Sequence, residues 1–248
     1  MKGEESELLE HEEHKSYRAG VGKLVYLSRW SRLDILNAVR ELARYVSAPT
    51  KTHYKAMERC MEYCLVTKNY GLELRPNVKW NGGKDLKFVI KGYADASYAQ
   101  HPESRKGASG NTTTVSRAPV ISKSITQTMV KLSVTEAELD RSTTEVQDML
   151  FVMEIVESMG LQVEKPMELC TDNKGVFNIS NNWTVGGRTR HIATKCTYLR
   201  ELKEANIIKF VLVPGETMRA DLFTKNLDCE TFQRHAAHFI GKPSEPSN

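Results

Sequence analysis

From Tyr17 to about Tyr70 apolar residues return at helical spacing: Val21, Leu24, Val25 and Leu27, then Ile35, Leu36, Val39, Leu42 and Val46, then Ala56, Met57, Cys60, Met61 and Cys64. Ser47-Ala48-Pro49 closes the second helix and Gly71 follows the third. The first eighty residues therefore read as a small all-helical unit. After Pro76 the turn-rich run Asn77 to Asp85 breaks the pattern, and Lys87 to Tyr93 reads as a buried strand ending at Asp95. Short strands are expected at Gly110 to Val115, Pro119 to Lys123 and near Thr128 to Ser133, and a long helix at Thr135 to Met159.

The remainder alternates. Met167 to Thr171 reads as a strand, Asn173 to Ile179 and Arg190 to Ala205 as helices, Ile207 to Val213 as a β-branched strand, and Thr217 to Lys225 and Thr231 to Ile240 as helices. Consecutive strands followed by alternating elements predict an α/β domain on a mixed sheet, antiparallel at one side. The expected organisation is an acidic, flexible leader at 1–16, a helical unit at 17–80, the α/β domain at 86–240 and a loose tail at 241–248.

Composition narrows the function classes. Of 248 residues 40% are hydrophobic and 27% charged, enough for one or two globular domains with a real core. No apolar stretch is long enough to cross a bilayer, and the start is too acidic for a signal or transit peptide, so no membrane partner and an intracellular setting are expected. Five cysteines with no C-x-x-C pair give neither a disulfide framework nor a zinc site. Cys60 and Cys64 fit a half-buried helical face, and His235 and His238 a solvated one. The formal charge is +4, but residues 1–15 hold six glutamates and two lysines, leaving 33 bases against 25 acids in the body. A basic body suits a polyanionic partner.

Four acids carry the candidate chemistry. Asp95 ends a strand among the small residues Ala94, Ala96 and Ser97, a favoured place for ligands in α/β sheets. Glu138 lies one turn into the long helix, Asp172 joins a strand to a helix, and Asp221 lies inside the helix after the last strand. Each has an ordinary alternative: a capping box with Thr135 for Glu138, an N-cap for Asp172, a dipole contact for Asp221. Together they fit a site for hard divalent cations, the usual device for breaking a phosphodiester bond.

Several segments tie the chain to a family: Tyr93-Ala94-Asp95-Ala96-Ser97-Tyr98-Ala99, Leu132 to Glu138, Asp172-Asn173, Arg188-Thr189-Arg190-His191-Ile192 and Ala220-Asp221-Leu222-Phe223-Thr224-Lys225. With Tyr17-Arg18, Arg32 to Ile35 and His53 to Ala56 upstream, the chain from Tyr17 to Ile240 resembles the carboxyl-terminal part of copia-type long-terminal-repeat retrotransposon polyproteins. The matching part is the connection segment after the reverse transcriptase, followed by the ribonuclease H domain. The resemblance implies a ribonuclease H fold, a mixed five-stranded sheet flanked by helices. It implies hydrolysis of the RNA strand of RNA–DNA hybrids, with Asp95, Glu138, Asp172 and Asp221 holding two Mg2+ ions, for which Mn2+ is a substitute. Glu136 competes with Glu138 for the second position.

Phosphate contacts are expected from Arg105, Lys106, Lys123, Arg188 and Arg190, and selection for RNA from 2′-hydroxyl and minor-groove contacts. The polymerase's paired aspartates are absent from the chain, so polymerisation would need reverse transcriptase domains upstream. The chain departs from the family's pattern at Asp140-Arg141, at Ala193 and Thr197, at Val120 and Ile121 in place of a tryptophan, and in having no histidine between Phe210 and Asp221, where Glu216 is the polar substitute. Those departures motivate the alternative of a hybrid-binding scaffold that no longer cuts. A transposase or integrase nuclease fits less well, needing three acids and usually a separate DNA-binding unit.

Overall fold

A computed structural model describes residues 7–74, 76–97, 105–131, 133–181 and 190–242. Residues 1–6 of the expected leader, 243–248 of the expected tail, and Arg188 lie outside these.

Two compact units divide the chain, one formed by residues up to Glu73 together with those from Ala236 onward, the other by Leu74–His235. The first is helical: α1 (His11–Trp30), α2 (Leu36–Ala43) and α3 (Lys51–Val66). Their apolar stripes close on Tyr17, Val21, Leu24, Ile35, Val39, Leu42 and Met57, the spacing read in the sequence. α1 begins at His11, so part of the expected leader is ordered helix, capped reciprocally by Glu10 and Glu13. Strand β1 (Gly71–Leu72) pairs antiparallel with β9 (Ile240–Gly241), which brings the end of the described chain into this unit. Two-residue strands carry no readable period, and neither was expected.

The second unit is built on β3 (Ile90–Ala96), β4 (Ala108–Val115), β5 (Ala118–Thr126), β7 (Met167–Thr171) and β8 (Ile208–Leu212), in the order β5-β4-β3-β7-β8. β5, β4 and β3 are antiparallel, whereas β3, β7 and β8 run parallel. β3 is central and buried along nearly its whole length, which is why its sequence lacks polar alternation. Helix α4 (Val134–Ser158) lies over β3 and β4, and α5 (Lys174–Asn181) and α6 (Arg190–Glu204) complete the layer around Leu139, Val146, Met149, Leu169, Leu199 and Ile208. α4 reaches β3 closely at Gly92, where a Cβ would stand 2.5 Å from Met149 Sδ and 2.6 Å from Glu145 Oε1.

Four expectations are corrected. The strand expected from Lys87 is split at Val89, because Lys87–Phe88 (β2) pairs with Gln162–Val163 (β6) and not within the main sheet. Among the described residues from Thr128 to Ser133 none is in a strand: the β4–β5 ladder ends at the Ala108–Thr126 pair, followed only by the Gln127 N–H donating to the Gly107 carbonyl at 2.9 Å. The helix expected at Thr217 to Lys225 is two short 3-10 turns, Gly215–Thr217 and Arg219–Phe223. The last helix, α7, covers Cys229–Ala236, and its His235 is buried at 1% exposure, not solvated.

Candidate metal centre

Asp95 and Asp172 reach one place through sheet geometry. β3 and β7 are adjacent and parallel, with Tyr93 opposite Cys170, and each acid lies two residues further along its strand. Asp95 is therefore the penultimate residue of β3, and Asp172 directly follows β7. The N-cap reading of Asp172 fails, since the Val176 N–H donates to Asn173 Oδ1 at 3.1 Å and Asn173 caps α5. Glu138 is likewise free of capping duty. The cap of α4 is Ser133, whose hydroxyl accepts from the Glu136 N–H at 3.1 Å.

Carboxylate oxygens of Asp95, Glu138 and Asp172 lie within 4.8 Å of one another. Of the two competing glutamates, Glu138 is the one in this group. Its Oε1 accepts from the Ala96 N–H at 3.2 Å, while Oε2 is buried with no hydrogen-bond partner among the described residues. A buried, unpartnered carboxylate oxygen facing two other acids is expensive unless a cation shares the space. The donor set, all oxygen, suits a hard divalent ion. Burial, then the nearby Asp95 charge, pushes the Glu138 carboxyl up to about 9. Burial also raises Asp95, and Asp172 adds to that, against Lys225 and Thr224, which favour its ionised form.

Asp221 joins from the 3-10 turn Arg219–Phe223. Burial and Asp95 raise it to about 7. It is linked to the group through Lys225, whose Nζ is 2.8 Å from Asp221 Oδ1 and 3.4 Å from Asp95 Oδ1. Neighbouring Thr224 donates its hydroxyl to Asp95 Oδ2. This turn packs on β4 at Gly110, the residue paired with Asp95 in the ladder. A Cβ at Gly110 would stand 2.7 Å from Thr224 Cγ2 and 2.8 Å from Phe223 Cβ. Gly110→Ala is expected to cost about 1–3 kcal/mol by overpacking and to push the Asp221–Lys225 turn off Asp95. Thermal melting and metal titration of the variant check both effects.

Of the basic residues expected to contact phosphate, Arg188 lies outside the described residues. Lys123, on β5, pairs with Asp148 Oδ1 of α4 at 2.6 Å. Arg105 is exposed in a left-handed backbone conformation, φ 52°, and Lys106 is half-buried. Arg190 opens α6.

Asp140 and Arg141 are accommodated. Asp140 pairs with Lys131 and Lys195. Arg141 is buried and donates to Asn111 Oδ1, although its Nε has no partner among the described residues. Asn111 and Thr113 also donate to Glu145, fully buried and pushed by burial up to about 8. Sequence reading missed this polar layer, yet Glu138, Arg141 and Glu145 recur at i, i+3 and i+7, one helix face.

The strand order, with three antiparallel and then parallel strands and acids at the ends of the two central parallel ones, defines a ribonuclease H-like α/β fold. No protein-family model matches the chain. It is 28% identical, over 88% of its length, to the retrovirus-related Pol polyprotein from transposon TNT 1-94 of Nicotiana tabacum, and spans 16% of that protein. It is 35% identical over 49% of its length to the secreted RxLR effector protein 161 of Plasmopara viticola, spanning 80% of it. Among solved structures, LC11-RNase H1 in complex with an RNA/DNA hybrid matches 56% of this chain and 94% of its own, at 15% identity and a TM-score of 0.41. The chain is thus similar over most of its length to retrovirus-related Pol polyproteins of transposons, and it spans only about a sixth of their length.

Proposed function

We propose that the Leu74–His235 unit is a divalent-metal-dependent endonuclease that hydrolyses the RNA strand of RNA–DNA hybrids, within a copia-type polyprotein whose reverse transcriptase domains lie upstream. The observation that carries the reading is the convergence of the buried Asp95 and Glu138 with the half-buried Asp172, with Glu138 Oε2 unpartnered among the described residues. Similarity to retrovirus-related Pol polyproteins supports a hybrid as substrate.

In this reading Asp95, Glu138, Asp172 and Asp221 hold two Mg2+ ions. Such ions, when bound, supply activation of water and neutralisation of charge at the scissile phosphodiester. The chain's own residues set the stage for that chemistry. Ala96 N–H fixes one oxygen of Glu138 and leaves the other facing the site. Thr224 fixes one oxygen of Asp95 in the same way. Asp172, with a side chain 25% exposed, stands at the solvent side, where substrate would enter. Arg105, Lys106, Arg188 and Arg190 are proposed to hold phosphates, and Lys123 to join them only by giving up Asp148.

The test is a hybrid labelled separately on each strand, incubated with the purified chain in Mg2+ or in EDTA. The RNA strand is expected to shorten in Mg2+ alone and the DNA strand to stay intact. Glu138→Gln should abolish cutting, whereas Glu136→Gln should retain it within about threefold, because Glu136 lies outside the cluster. A wild-type chain that binds hybrid and leaves both strands whole would establish the scaffold reading instead.

A further inference from the structure

The acid cluster already contains a cation of its own. Lys225 Nζ lies 2.8 Å from Asp221 Oδ1, 3.4 Å from Asp95 Oδ1 and 4.0 Å from Asp172 Oδ2. Its placement is built into the backbone: the Lys225 N–H donates to the Asp221 carbonyl at 2.9 Å, so the two side chains leave the same turn four residues apart. Thr224, buried and bonded to Asp95, anchors that turn to the same acid. The Lys225 side chain is nevertheless 35% exposed, so its ammonium has a route to solvent. Cationic charge is thus spread unevenly. The Asp95–Asp221 side holds an ammonium, whereas Glu138 Oε2 faces no donor among the described residues.

We propose that Lys225 is an intrinsic counter-ion that occupies the Asp95–Asp221 side of the cluster, so that one divalent ion binds readily beside Glu138 and a second binds only by displacing the lysine ammonium. The inference rests on the divalent-cation reading of the cluster and adds to it an order of filling and a competitor. A divalent ion seated on the same oxygens, Asp95 Oδ1 and Asp221 Oδ1, competes directly with the ammonium, and their mutual repulsion is strong where burial weakens screening. Lys225 then sets the metal concentration at which the cluster fills.

The experiment counts Mn2+ bound to the full chain by electron paramagnetic resonance of the free ion, at one pH and ionic strength, for the wild type, Lys225→Met and Asp172→Asn. Lys225→Met is expected to bind the second ion at least about tenfold more tightly, with the first changed by less than about threefold. Its ion-free form should also melt at a lower temperature, having lost the counter-ion. Second-ion affinity that is unchanged or weaker in Lys225→Met overturns the proposal. If Asp172→Asn weakens binding while Lys225→Met leaves it unchanged, the lysine proposal alone falls; if neither substitution alters Mn2+ binding, the cluster is not the cation site and both readings fall.

A measurement on the wild type guards against a variant that does not fold. Amine acylation read by mass spectrometry should label Lys225 several-fold faster with saturating Mn2+ than without, because displacement exposes the amine. Labelling that is equal or slower with Mn2+ contradicts displacement.

Discussion

Asp172→Asn is expected to lower the rate of hybrid cleavage by at least about 100-fold while changing hybrid affinity by less than about threefold. The substitution is nearly isosteric and lies outside the packed core, so folding should persist. It does not remove a helix cap, because Asn173 caps α5. What it removes is one negative charge from a group of acids within 4.8 Å of one another, which lowers the site's hold on divalent cations. Loss of a negative charge near the path of a polyanion should, if anything, strengthen binding slightly. Single-turnover cleavage and a binding isotherm in Ca2+ measure the two effects separately. Parallel loss of cleavage and binding would assign Asp172 to structure or substrate contact instead.

The second large effect links pH, cations and stability. In the ion-free protein Glu138 is held up to about 9 against an ordinary 4.5, and Asp221 up to about 7 against 3.8, both first by burial. An acid with a raised folded pKa is protonated when folded at a pH where the unfolded chain ionises it. Its stabilising contribution is full below its ordinary value and is lost as pH rises through the folded one. Ion-free stability should therefore fall from about pH 5 upward, by at most about 1.4 kcal/mol per pH unit for each group. If Mg2+ binds the ionised cluster as proposed, the increment in Tm that it produces should grow as pH rises.

Glu145, held up to about 8 and outside the acid cluster, should add a fall that Mg2+ does not restore, and Glu145→Gln should remove that share. Melting in EDTA and in Mg2+ at about pH 5.5 and 8.5 decides the matter. A Mg2+ increment that does not change with pH would separate the cation from these carboxyls.

Much of the fold is legible in residue periodicity, and the misreadings have physical causes. The helical stripes from Tyr17 to Cys64 and the strands at Met167–Thr171 and Ile208–Leu212 stand where the pattern puts them, because one buried face is enough to write a period. The stretch Lys87 to Tyr93 looks like one strand, but its pairing changes at Val89, and pairing partners leave no local trace. Beyond β8 the sequence pattern reads as helix, whereas burial of Ala220 and Phe223 against Gly110 holds the chain in 3-10 turns.

The candidate site divides in the same way. Asp95 and Asp172 are legible as strand-end acids, and Asp221 through its motif. Local spacing leaves Glu136 and Glu138 unresolved, because the choice depends on Ser133 and not Thr135 capping α4, and on how α4 crosses β3. Asp140 looks like damage until Lys195, 55 residues away in sequence, is found beside it. Lys225 could have been noticed from its i, i+4 relation to Asp221, but its contact with Asp95 on another strand could not.

The acids on β3, α4 and the end of β7 are proposed to form one divalent-cation site. Crystals grown with Mn2+ and recorded at a wavelength where manganese scatters anomalously test it most directly. The account predicts a difference peak within coordination distance of Asp95, Glu138 and Asp172, absent from crystals of Asp172→Asn. Full-occupancy Mn2+ elsewhere with none at these three carboxylates would contradict it.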